Sequence, residues 1–181
     1  LFEKSYHSGV SRKRWLQEQT QAVYCAELRD NKVPEDYVMS IWFTQTTTRE
    51  LNRLYRKTAA NSLGIQITEI GDDYLKGTMP VDIRTHQPMG FLHGGASVLL
   101  AETLAGVGAQ FCVDQVKYYC VGLEINANHV RGAKDGYVEG IASPIHIGRT
   151  TQVWDIRINH SKIGLICVSR HTVAVLNVRE R

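Results

Sequence analysis

Residues 86–112 read "HQPMGFLHGGASVLLAETLAGVGAQFC", and their reading decides the fold. The first part, His86 to Gly95, holds Pro88 and the glycines Gly90, Gly94 and Gly95, which mark a loop ending where a helix begins. From Ala96 to about Cys112 there is no proline, and Val98, Leu99, Ala101, Ala105, Val107, Gly108 and Phe111 make an almost continuous apolar surface. A helix that is apolar nearly all round is sheltered on most sides. Its small residues, among them Ala96, Ser97, Ala101, Ala105 and Ala109, let a covering layer come close. Gly106 and Gly108 each cost about 1 kcal/mol of helix propensity relative to Ala, so close packing or a bound group is expected to compensate.

The covering layer is legible on both sides of that helix. Upstream, "LGIQITEIG" and "DDYLKGTMPVD" are two extended runs joined at the turn signal Gly71-Asp72-Asp73, and they read as a hairpin. Downstream, "YYCVGLEINANHVR", "YVEGIASPIHI", "TTQVWDIRINH" and "GLICVSRHTVAVLNV" alternate and are rich in β-branched residues, so four strands are expected. A short helix over "RELNRLYRKTAA", capped by Thr47 or Thr48, precedes them all. The order predicts an α+β fold, a curved antiparallel sheet wrapped around one long central helix.

Residues 1–38 differ from this body. "SRKRWLQEQTQAVYCAELRDNK" reads as a modestly amphipathic helix, Pro34 interrupts it, and Met39 could itself be a translation start. The expected division is therefore an N-terminal helical extension over 1–38 and one domain over 39–181. A net charge of +3, spread along the chain with no basic block, gives little reason to expect nucleic acid. No apolar run of about 18 residues is present, so no membrane span is expected. The cysteines Cys25, Cys112, Cys120 and Cys167 form no CxxC pair and no zinc spacing, which fits buried thiols in a reducing, cytoplasmic setting, with no metal expected.

Glu102 interrupts the apolar helix. Its i±3 and i±4 neighbours are Val98, Leu99, Ala105 and Gly106, which offer neither charge nor hydrogen bond. A buried, unpaired carboxylate costs several kcal/mol or takes up a proton. Either Glu102 reaches solvent or an arginine at the helix edge, or it faces a cleft and works as a base or nucleophile. The preceding "HGG" places unpaired backbone N–H groups and the positive end of the helix dipole at the helix start, which suits an oxyanion. At 1.5 Å per residue, Glu102 stands roughly 10 to 12 Å along the axis from Gly94. One protomer therefore cannot bring both to one carbon, but two antiparallel helices across a two-fold axis can.

The motifs "HQPMGFLHGGASVLLAETLAG", "VGLEINANHVRGA" and "HIGRTTQVWDI" closely resemble those of the hotdog-fold acyl-CoA thioesterases, over about Met39 to Leu176. Within that family they resemble the 1,4-dihydroxy-2-naphthoyl-CoA hydrolases of menaquinone biosynthesis and the proofreading thioesterases of enterobactin biosynthesis. The resemblance implies that Glu102 attacks the thioester carbonyl or activates a water, and that Gly94 N–H receives the carbonyl oxygen. It also implies that Gln87 and His93 orient carbonyl and water, and that His129 lies near the acyl pocket with Gly106 and Val107. Arg131, Lys134 and Arg149 are the candidates for the phosphates of coenzyme A, which is part of the substrate; no separate cofactor is implied. A homodimer with shared sites, paired into a tetramer, is implied as the assembly.

Blander readings stand beside these roles. His93 can cap the helix, Gln87 can be a turn residue, His129 can be a packing histidine, and any of the three cations can be a solvated surface group. Where close relatives carry a serine four residues after the catalytic glutamate, this chain has Gly106, which enlarges the pocket or removes a hydrogen bond. Hydrolysis of an aromatic acyl-CoA is the leading expectation. Proofreading of aryl groups on a carrier protein, and a non-hydrolytic dehydratase or acyl-CoA-binding protein, are the alternatives.

Overall fold

A computed structural model describes residues 40–178 of the chain, so the expected extension over residues 1–38 lies outside the described residues. The first helix, α1 (Thr48–Leu54), starts at a reciprocal cap. Thr47 Oγ1 accepts from the Glu50 N–H, and the Glu50 carboxylate accepts from the Thr47 N–H. One short helix, α2 (Ala59–Ser62), leads into β1 (Gln66–Ile70) and β2 (Leu75–Pro80). The long helix α3 (Gly94–Phe111) follows, and then β3 (Tyr118–His129), β4 (Tyr137–Ile147), β5 (Thr151–His160) and β6 (Gly164–Asn177). The expected order is found, except that the one short helix expected over "RELNRLYRKTAA" is two, α1 and α2. The helix begins two residues before Ala96 because His93 caps it, its Nδ1 accepting the Gly95 N–H at 2.8 Å.

All six strands join one antiparallel sheet in the order β1-β2-β4-β5-β6-β3, and α3 packs against five of them. This is the hotdog arrangement. Two kinds of close approach hold helix to sheet. Leu104 keys into the glycines of β2 and β4, since a Cβ on Gly77 would stand 2.8 Å from its Cδ2 and one on Gly140 2.9 Å from its Cδ1. On the helix itself, a Cβ on Gly108 would stand 2.6 Å from Trp154 Cη2. The close packing expected at Gly108 is therefore met by the buried indole of β5, whereas nothing lies within 4 Å of a Cβ on Gly106.

Trp154 is fixed from both ends. Its Nε1 donates to Gln152 Oε1 at 3.1 Å, and Gln152 Nε2 donates to the Ala109 carbonyl at 3.2 Å, so a fully buried polar chain ties β5 to the helix. Buried polar groups satisfied in this way fix register as well as energy. On the other side the ring stacks on Trp42 with centroids 6.4 Å apart.

The two sheet edges differ. The outer side of β1 is clasped by α1, where Asn52 donates to the Ile67 carbonyl and accepts the Ile67 N–H, both at 2.8 Å. At the far end β3 pairs with β6 alone, and its outer residues are exposed, Leu123 at 63%. Among the described residues, no helix is long and apolar enough to cross a membrane.

Candidate active site

The loop that delivers the helix is held at both ends. Thr85 is buried, its hydroxyl donating to the Pro80 carbonyl at 2.9 Å and accepting the Asp82 N–H at 3.0 Å. Arg84 grips the Asp82 carboxylate at 2.6 Å, and those hydrogen bonds hold its carboxyl down at about 2. Farther on, His93 N–H donates to the Thr85 carbonyl and Leu92 N–H to the Ala133 carbonyl, each at 2.8 Å. His86 Nε2 donates to the Lys134 carbonyl at 3.0 Å. Gly90, with φ +76°, supplies the left-handed turn inside this clamp.

A cleft of about 410 Å³ opens beside the helix start, and Gln87, Phe91, Gly94, Ser97, His129 and Arg131 are among its walls. Four of the residues expected from sequence, Gln87, Gly94, His129 and Arg131, thus meet there. His129 Nε2 presses on Gly94: a Cβ at that position would stand 2.8 Å from it, so only glycine admits the imidazole. The Gly94 N–H has no partner among the described residues, whereas the Gly95 N–H is taken by His93. Of the two glycines, Gly94 holds the free donor. His93 caps the helix, the blander of its two readings. Gln87 serves the turn through its side-chain oxygen, which accepts from the Met89 N–H, while its amide NH2 remains available at the cleft wall.

Glu102 stands elsewhere. It is exposed in the single chain, with no hydrogen bond or ion pair to a described residue, and so neither buried nor held by an arginine. The reason is the open face of α3: Val98, Leu99 and Gly106 are half-buried because the sheet stops at β3. Glu102 Oε1 comes to 3.2 Å from where a Cβ on Gly122 of β3 would stand. Val107 does not join the site as expected. It lies about 140° around the helix from Glu102 and is buried in the core beside Trp42, Leu51 and Phe111.

The cations divide as well. Arg131 Nη1 donates to the Leu165 carbonyl at 2.8 Å, and Lys134 Nζ lies 4.7 Å from the centroid of Phe91 at the cleft wall. Arg149 is exposed in the turn between β4 and β5 and is not part of that wall. Sequence reasoning passed over Phe91, Ser97 and the buried His171 of β6. Burial pushes the Cys112 thiol up to about 12 and Cys120 up to about 11, so neither offers a thiolate near neutrality. Among the described residues, no three His, Cys, Asp or Glu side chains gather as metal ligands.

Residues 89–167 match the family model described as the thioesterase superfamily. The chain is 48% identical over 136 residues to the 1,4-dihydroxy-2-naphthoyl-CoA hydrolase of Escherichia coli, covering 75% of this chain and 99% of that protein. It is 44% identical over 136 residues to the proofreading thioesterase EntH of Cronobacter turicensis, covering 75% and 98%. Among solved structures, a mutant thioesterase from Pseudomonas aeruginosa superimposes with a TM-score of 0.76 at 46% identity, over 77% of this chain and 100% of that one.

Proposed function

The chain belongs to the thioesterase superfamily and is a thioester hydrolase, and from that premise we propose that it cleaves aromatic acyl-CoA thioesters at a site shared by two protomers. The single observation that carries this reading is the separation of the two halves of the machinery. The unpaired Gly94 N–H and the cleft lie at one end of α3, and the unpaired Glu102 carboxylate lies two turns along on its open face. A two-fold partner whose helix runs antiparallel brings each Glu102 to the other chain's Gly94. The open edge of β3, which pairs with β6 alone, supports an interface beside that face.

In this reading the thioester oxygen takes the Gly94 N–H, backed by the helix dipole, and the Gln87 amide donates beside it. Glu102 takes a proton from the attacking water. The carbonyl of a thioester is electrophilic and thiolate leaves readily, so the reaction needs neither metal nor further cofactor. Arg131 and Lys134 at the cleft meet the phosphates of coenzyme A, and the exposed Arg149 is a further candidate for that contact. The missing side chain at Gly106, with open space around it, favours a bulky acyl group next to Glu102. The likeness to the Escherichia coli hydrolase supports a hydroxylated aromatic ring; the likeness to EntH supports the second reading, release of aryl groups from a carrier protein. Free thiols at Cys112, Cys120 and Cys167 suit work in the cytoplasm.

The test is release of free thiol from a panel of aromatic and aliphatic acyl-CoAs by the wild type and by Glu102→Gln. The reading expects turnover fastest on aromatic CoAs and a fall of roughly 10²- to 10⁴-fold in the variant, the range for loss of a general base. Equal turnover by both proteins removes Glu102 from the mechanism. Faster turnover of the same acyl group on a carrier protein moves the substrate to the proofreading class.

A further inference from the structure

His171 occupies an inward position of β6, 1% exposed, in register with Trp154 on β5 and Ile125 on β3. Its Nδ1 lies 3.1 Å from the Glu124 carbonyl. A carbonyl has no proton to give, so Nδ1 carries the hydrogen and Nε2 is left an acceptor. That Nε2 is buried and has no hydrogen-bond partner. Buried polar atoms are rarely left so, and each one calls for an explanation.

Gly122 supplies one. A Cβ there would stand 2.8 Å from His171 Cε1, 3.3 Å from its Nε2 and 3.2 Å from Glu102 Oε1. Carboxylate and imidazole therefore approach the same point on the helix-facing side of β3, and the absence of a side chain leaves the gap between them open. The β3–β6 register slips between Gly122 and Glu124, so the strand is bulged beside the two groups. Glycine inside a strand, a bulge and an orphaned imidazole nitrogen coincide at the reactive carboxylate. No other ionisable side chain of α3 competes for this contact, since Glu102 is its only one. The Glu124 carboxylate is exposed and accepts from Asn126, and Arg170 is exposed on the other face of β6.

With Glu102 as a carboxylate, two acceptors face each other and no hydrogen bond joins them. Once Glu102 has taken a proton, its O–H can donate to Nε2. We propose that His171 is a positioning residue that holds the protonated form of Glu102 through a hydrogen bond existing only after proton transfer has begun. The proposal rests on Glu102 acting as the base. The water oxygen bonds to the thioester carbon while one of its protons passes to Glu102. The C–S bond then breaks, and the departing sulfur takes that proton back, leaving acid, thiol and the original carboxylate. An interaction made in the transition state and not in the ground state raises kcat and leaves KM alone.

The experiment compares full-length wild type, His171→Asn, His171→Gln and Glu102→Gln with benzoyl-CoA as probe, reading kcat, KM and the melting temperature. Asn keeps a donor for the Glu124 carbonyl and loses the atom facing Glu102; Gln can place its amide oxygen near the position of Nε2. We expect His171→Asn to lower kcat by about tenfold to a hundredfold with KM within about twofold, and His171→Gln to recover part of it. Wild-type kcat in His171→Asn, with Glu102→Gln inactive, overturns the role of His171 alone. A parallel loss of kcat and melting temperature that His171→Gln does not relieve also overturns it, in favour of a purely structural histidine. Wild-type turnover by Glu102→Gln overturns the functional reading beneath it.

Discussion

Gly106 and Gly108 lie two residues apart on one helix, and alanine should move stability in opposite directions at the two. At Gly108 the new methyl would stand 2.6 Å from Trp154 Cη2 and 2.8 Å from its Cζ3. The indole is held, because its Nε1 is bonded to Gln152 and its ring is stacked with Trp42. Overpacking of this kind costs about 1–3 kcal/mol, against a gain of about 1 kcal/mol in helix propensity. The net expectation for Gly108→Ala is a loss of up to about 2 kcal/mol, several degrees in melting temperature for a domain of this size at the upper end. At Gly106 nothing lies within 4 Å of the new methyl, so the propensity gain stands nearly alone. Urea unfolding followed by tryptophan fluorescence measures both. A Gly108→Ala protein at least as stable as wild type would refute the packing argument, and a destabilised Gly106→Ala protein would mean that a partner fills the open space beside Glu102.

Gly122→Ala would put a methyl between His171 and Glu102, and steady-state assays should find kcat lowered at least about tenfold; unchanged kcat would mean the bulge yields. Asn52→Ala strips both partners from Ile67, and calorimetry should register a loss of about 1–3 kcal/mol. Burial holds the Cys112 and Cys120 thiols at about 12 and 11, above the ordinary value near 8.5. The folded chain keeps protons that the unfolded chain releases, so this contribution is complete below about pH 8.5 and is lost as pH rises through the folded values. Melting temperature should fall more steeply with pH in the wild type than in a Cys112→Ala/Cys120→Ala protein.

Much of the fold lay open in the sequence because each element obeys one local rule. The strand "TTQVWDIRINH" alternates as written, with Gln152, Trp154, Ile156, Ile158 and His160 all buried. The all-round apolar character of α3 announced a helix enclosed by sheet. What local pattern could not carry was which strand lies at which edge. The placement of β3 beside β6 at the open end leaves Glu102 exposed in one chain and brings Gly122 beneath it. Val107 lies apart from Glu102 for a related reason, since proximity along the helix says nothing of azimuth. His171 left a faint trace, a histidine at an inward position among β-branched residues, and Gly122 left another, a glycine inside a strand. The trace pointed nowhere until the register joined β3 to β6.

The unlike edges of the sheet bear on how far strand pairing between copies could run. At β1 the outer main chain is short, bulged between Ile67 and Glu69, and clasped by Asn52, so no further strand can be templated there. Among the described residues, only β3 presents a long row of main-chain groups without a strand beside it. A ribbon with one sealed and one adhesive border can lengthen once, adhesive border to adhesive border, and both are then consumed. Between the described edges, sheet pairing of this kind would stop at two copies and would not run on into a fibre.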